Sequence, residues 1–106
     1  MTQDKRVHDR KELTLPLRIE SGGKLLDGES LDISVGGMRV SSPEDLPFGT
    51  KVKLHVVLPT LGEETVFEAE VRWGQREPSG WFVLGLQFHR VRARETWAIN
   101  QLMRQG

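Results

Sequence analysis

The chain has 106 residues, of which 37% are hydrophobic and 28% charged, the proportions of one folded domain and not of a disordered tail or a membrane protein. Fifteen lysines and arginines balance fifteen aspartates and glutamates, so bulk charge gives no reason to expect DNA or RNA as a partner. Cysteine is absent, which excludes a disulfide scaffold, a thiolate zinc site and a cysteine nucleophile, and no apolar run approaches the roughly 20 residues of a membrane span.

Residues 1–12 are polar and lack an apolar period, the pattern of a flexible arm, and between Lys5 and Lys11 the cations Lys5, Arg6, Arg10 and Lys11 stand against Asp9. The opening Met1-Thr2-Gln3-Asp4 lacks the basic and apolar stretches of a secretory signal, so cytoplasmic residence without membrane insertion is expected. From Leu13 the chain alternates. Leu13, Leu15, Leu17 and Ile19 form the apolar phase of a half-buried strand, with Pro16 marking an edge or a break in the ladder. Ser21-Gly22-Gly23 turns into a second strand over 24–32, which Val35-Gly36-Gly37 interrupts before Met38–Ser41 resume it. A proline-rich loop over 42–49 precedes Val52, Leu54, Val56 and Leu58. A turn at 61–64 leads to Phe67, Ala69, Val71 and Trp73 in alternation. A second turn spans 74–80, and Phe82, Leu84, Leu86 and Phe88 close the series. Six short strands with turns between them predict an all-β domain over 13–106, a small antiparallel barrel or sandwich. Trp97, Ala98, Ile99, Leu102 and Met103 recur at helical spacing and predict a C-terminal helix over 93–104.

Catalytic chemistry finds no support in these residues. His8, His55 and His89 have no partner at metal-ligand spacing. Glu63 and Glu64 lie in a turn, Glu68 and Glu70 on the solvent phase of a strand, and Ser34 lacks the Gly-x-Ser-x-Gly elbow. No phosphate-cradling glycine loop is present. The expectation is a protein that is not an enzyme and carries no metal or cofactor.

Two features stand out. Arg6-x-x-x-Arg10 lies just before the first strand, and Asp32-Ile33-Ser34-Val35-Gly36-Gly37 lies at a strand break. Taken singly, the first reads as solvated surface arginines, and the second as a glycine turn in which Asp32 or Ser34 caps the local backbone. Together they offer planar cations, a carboxylate, a hydroxyl and exposed N–H groups beside glycines that admit a close approach. That set suits a guanine nucleotide. Arginine pairs bidentately with O6 and N7 or stacks on the ring, and a carboxylate accepts from N1–H and N2–H.

In order and separation, Arg6-x-x-x-Arg10 and Asp32-x-Ser34-x-x-Gly37 resemble the two signature motifs of the PilZ domain family. Val71-Arg72-Trp73, Gly85-Leu86-Gln87-Phe88 and the final helix fit the same family, and the resemblance extends over nearly the whole chain. It implies a six-stranded antiparallel β-barrel with a C-terminal helix that binds cyclic di-GMP, a bacterial second messenger of motility and biofilm signalling. By this resemblance Arg6 and Arg10 clamp guanine and phosphate, while Asp32, Ser34, Gly36 and Gly37 form the barrel side of the site. Lys5 occupies the position associated with one or two ligand molecules. Asp9 stands between the arginines where the family often has proline, and its carboxylate can compete for them. The expected function is that of a stand-alone, non-enzymatic receptor, monomeric or weakly dimeric, that relays the signal to an unidentified effector protein. The alternative is a PilZ-like adaptor of pilus or motility machinery that binds no nucleotide. A small barrel for single-stranded nucleic acid is disfavoured by the absence of tyrosine and the scarcity of outward aromatics.

Overall fold

A computed structural model describes residues 10–105. Seven strands and one helix follow in order: β1 (Lys11–Glu12), β2 (Pro16–Ser21), β3 (Lys24–Ile33), β4 (Gly37–Ser42), β5 (Lys51–Val57), β6 (Glu64–Arg76), β7 (Phe82–His89) and α1 (Ala93–Arg104). All pairings are antiparallel. The order β3-β2-β5-β6-β7-β4 closes on itself through β3–β4, giving a six-stranded barrel with β1 as an extra strand on β3.

The alternation that predicted the strands is also what fills the barrel. Leu17 and Ile19 of β2, Leu54 and Val56 of β5, Phe67 and Val71 of β6 and Leu84 of β7 all point inward and are buried. Each such side chain contributes about 1.5–3 kcal/mol when fully removed from water. Phe67 and Phe88 stack with their centroids 4.6 Å apart. Pro16 is the first residue of β2 and pairs only with β3, since the β5 ladder starts at Leu17, so its missing N–H interrupts nothing.

Several boundaries differ from the sequence reading. Lys11 and Glu12, expected within the arm, pair with Ile33 and Asp32. The first barrel strand begins at Pro16, not Leu13, because the Ser30 hydroxyl enters the ladder there. It donates to the Leu13 carbonyl and accepts from the Leu15 N–H, while the Leu13 N–H donates to the Leu31 carbonyl and the Ser30 N–H to the Leu15 carbonyl. The largest difference concerns β6, which continues through Gly74, placed in a turn by its sequence, to Arg76. Gly74 pairs with Leu84, and a β-carbon there would press on the Leu84 side chain and the Asp45 carboxylate. It is a glycine of close approach, and the turn shrinks to Glu77–Trp81 around Gly80, whose φ is +96°.

The helix closes one end of the barrel. Ala98, Ile99 and Leu102 join the core, while Trp97, about 200° from Ile99 around the axis, remains 54% exposed. Glu95 accepts from the Arg92 N–H at 3.0 Å, the reciprocal half of a capping box, while the Arg92 guanidinium has no acceptor to offer the helix N–H groups. The Thr60 hydroxyl donates to the Ala98 carbonyl at 2.9 Å, and Lys11 Nζ donates to the Gln105 carbonyl, tying the helix to the β5–β6 connection and to β1. Among the described residues, no helix is long and apolar enough to cross a membrane.

Candidate ligand-binding site

Two β-bulges decide which side chains reach the outer surface. In β3 the register slips between Ser30 and Asp32. Ser30 pairs with the buried Val40, whereas Asp32 pairs with Arg39 on the opposite face. An unbroken strand would put Ser30 and Asp32 on one face. The additional residue, Leu31, turns the Asp32 carboxylate out of the core and lets Ile33 enter it. In β6 the slip falls between Val71 and Trp73. Val71 is fully buried against the core, and Trp73, which strict alternation assigns to the same inward phase, turns outward and is 41% exposed. The inward phase read for Trp73 from its alternation with Phe67, Ala69 and Val71 is thereby corrected. Its indole lies across Gly85, where a β-carbon would collide with the ring.

These residues border one open cleft of about 340 Å³ on the outer face, lined by Arg10, Arg39, Arg72 and Trp73 together with Ser34, Gly36, Gly37 and the β7 segment Gly85–Gln87. Asp32 stands behind it. The carboxylate is buried, and its oxygens accept from Arg10 Nη1 at 3.0 Å, Arg39 Nε at 2.7 Å and the Arg39 backbone N–H at 3.2 Å. One buried anion thus anchors two guanidinium groups whose side chains remain about two-fifths exposed (42% and 39%) toward the cleft. Arg72 reaches the cleft from β6, lying 5.0 Å from the Phe48 ring centroid and 3.4 Å from Glu70 Oε2.

Ser34 and the glycines form the turn beneath. Ser34 Oγ accepts from the N–H groups of Gly36 and Gly37 at 3.2 Å each, so the local cap weighed for this segment is present. Gly37 packs against the Leu86 carbonyl with no room for a β-carbon, which explains that glycine by packing before any ligand is considered. The Gly36 carbonyl accepts from the Phe88 N–H at 2.9 Å.

Of the residues singled out from the sequence, Arg10, Asp32, Ser34, Gly36 and Gly37 come together at this place. Arg6, Lys5 and Asp9 lie outside the described residues. Arg39, Arg72, Trp73 and Gln87 were not assigned to the site. Arg39 carried a readable signal, as the only charged residue of its short strand, whereas Arg72 and Trp73 reach the cleft through a bulge that alternation hides. His55 bonds Glu20 at 2.9 Å and His89 bonds Glu70 at 3.2 Å, both in cross-strand ladders, and neither histidine lines the cleft. Among the described residues, no cluster of three or more His, Asp or Glu side chains is arranged to hold a metal.

Solved structures share this architecture. The PilZ domain with c-di-GMP of YcgR from Escherichia coli superposes with a TM-score of 0.76 at 18% identity, covering 95% of this chain and 93% of that one. The inhibitor of motility MotI/DgrA of Bacillus subtilis gives 0.78 at 24% identity over 96% of this chain, which spans about half (51%) of that protein. The PilZ domain of CeSA from a cellulose-synthesizing bacterium gives 0.62 at 24% identity, covering 89% of this chain and 93% of that one. No curated protein matches the sequence. At these identities the structures establish the fold alone. The sequence itself matches the PilZ domain description over residues 4–105, and with the closed barrel, the terminal helix and that match, the chain belongs to the PilZ domain family.

Proposed function

We propose that this PilZ domain is a non-enzymatic cytoplasmic receptor for cyclic di-GMP that passes the signal to a partner protein. The observation that carries the reading is the cleft in which Arg10, Arg39 and Arg72 surround an exposed indole over a glycine floor. A guanine base has one face for the Trp73 ring and, in O6 and N7, two acceptors for a guanidinium fork. The phosphates of the ligand require cations at a short distance, and the three arginines lining the cleft supply them. Asp32 serves in this reading chiefly as the anchor that presents Arg10 and Arg39. Arg6 supplies a further guanidinium from the segment preceding Arg10, and Lys5 adds charge beside it. Support also comes from the family relationship and from the PilZ domain of YcgR, whose structure contains c-di-GMP.

Calorimetric titration tests the reading. Cyclic di-GMP is expected to bind with a defined stoichiometry, and cyclic di-AMP much more weakly, because adenine places a donor where guanine has O6. Equal affinity for the two nucleotides overturns the guanine assignment. Absence of binding to either leaves the domain as an adaptor without nucleotide.

A further inference from the structure

A second groove, of about 640 Å³, crosses the outer face at the other end of the strands that border the cleft. β4 meets the cleft at Gly37–Arg39 and the groove at Ser41; β7 meets them at Gly85–Gln87 and at Val83. The floor of the groove is apolar, made by Pro16, Leu31 and Val83, and Trp81 stands at its side with 42% of its surface exposed. An exposed tryptophan beside aliphatic groups is the composition of a protein-binding anchor, not of ordinary solvated surface. The rim carries Asp27, Glu29 and Glu77. No lysine or arginine lines the groove, and none of these three carboxylates forms an ion pair among the described residues. Several other outward carboxylates are matched, as in Arg18–Glu64, Lys24–Glu44 and Arg94–Glu63, whereas Glu12, Asp45 and Glu68 have no ion pair among the described residues; the groove is distinguished by gathering three unmatched groups beside apolar side chains. The groove therefore combines an apolar floor, an aromatic face that attracts cations and a negative rim with no internal counterpart.

We propose that this groove docks a basic segment of a partner protein, in which arginine or lysine alternates with aliphatic residues. The aliphatic groups cover Leu31, Val83 and Pro16, the cations meet the rim, and one guanidinium lies on Trp81. The cleft at the other end of these strands is lined by arginines and repels such a segment, which fixes where along the strands it binds. The inference rests on the reading that the domain acts through a partner, and not on the identity of the nucleotide.

The test uses the full chain, labelled with nitrogen-15 and free of nucleotide, and two synthetic peptides, Arg-Leu-Arg-Leu-Arg-Leu and Glu-Leu-Glu-Leu-Glu-Leu. The arginine peptide is expected to shift the amides of Gly28, Leu31, Ser41 and Val83 and the Trp81 indole N–H, and the glutamate peptide to leave them in place. The Glu29→Lys/Glu77→Lys protein is expected to bind the arginine peptide at least tenfold more weakly while binding cyclic di-GMP as the parent does. Should that double variant lose its native spectrum, Glu29→Gln alone is expected to weaken the peptide at least threefold. Unchanged affinity in whichever variant folds overturns the proposal, as do shifts centred away from the groove or equal binding of both peptides. A concentration-dependent dimer in sedimentation velocity that the same variant abolishes also overturns it, because the occupant is then a second copy. Failure of cyclic di-GMP to bind, with the arginine peptide still held in the groove, overturns the nucleotide reading and leaves this one standing.

Discussion

At the scale of single residues, the energetics of the cleft turn on Asp32 and Trp73, and the two act differently. Asp32 is buried and accepts three hydrogen bonds. Asp32→Ala removes all three and leaves the Arg39 N–H and two guanidinium groups to find water. Because both arginine side chains are well exposed, the cost lies below that of a fully buried pair, about 1–3 kcal/mol of stability. Thermal unfolding is expected to report that loss, and calorimetry a weakened affinity beside it. Trp73 is partly exposed and lies over a glycine, so Trp73→Ala removes a stacking surface while opening no cavity in the core. Binding of cyclic di-GMP is expected to weaken by about 1–3 kcal/mol, the usual worth of one base-stacking aromatic, with the melting temperature nearly unchanged. An unaltered affinity places the base elsewhere. Arg10→Ala separates the two effects further. Its ion pair is solvent-screened and worth under about 1 kcal/mol to the fold, whereas its bond to an anionic ligand is worth about 1.5–3 kcal/mol.

At the scale of elements, the strands were legible in the sequence because alternation is local. Leu17 and Ile19, or Val52, Leu54 and Val56, announce their inward phase without reference to any neighbour. The bulges were not legible, because each is a property of a pair of strands. Ser30 meets Val40 and Asp32 meets Arg39 only once β4 lies beside β3, and Trp73 leaves the inward phase only because the β6 register to β7 slips after Val71. The motif residues from Asp32 to Gly37 could be found from their chemistry alone, but Arg72 and Trp73 could not be assigned to the same cleft by counting twos. Deleting Leu31 tests this account. Removal of the additional residue makes Ser30 and Asp32 neighbours, so plain alternation keeps Ser30 inward against Val40 and Asp32 outward against Arg39. The variant is expected to keep binding cyclic di-GMP and to lose only the bond between Leu13 and the Leu31 carbonyl, about 0.5–1.5 kcal/mol in chemical denaturation. A folded deletion variant that no longer bound the ligand would show that the register slip is not what sets the phase of Asp32. The helix start is a second element-scale device. Glu95 accepts from the Arg92 N–H, and Glu95→Ala is expected to lower stability by about 0.5–1.5 kcal/mol, the worth of one hydrogen bond, without affecting the cleft.

At the scale of the whole molecule, the helix decides whether the barrel stands alone. The apolar spacing of Trp97, Ile99, Leu102 and Met103 was too broad for a single seam, and the structure divides it. Ala98, Ile99 and Leu102 are enclosed in the core, while Trp97 faces solvent. The helix is also held at three places by groups outside it, through Thr60 to the Ala98 carbonyl, Lys11 to the Gln105 carbonyl and Arg94 to Glu63. Removing the chain after Arg92 uncovers the end of the barrel that these residues fill. Truncating a single buried leucine or isoleucine costs about 2–5 kcal/mol, and the deletion removes one of each together with Ala98. A domain of this size has about 5–15 kcal/mol of stability in total, so the truncated chain is expected to be unfolded or molten, with the strand signature in circular dichroism lost and no cooperative melting transition. Trp97→Ala in the full chain is expected to behave oppositely, shifting stability by less than about 0.5 kcal/mol because the side chain already contacts water. A truncated protein that melts cooperatively and binds cyclic di-GMP would remove the helix from the core and leave its exposed tryptophan as the reason the helix exists.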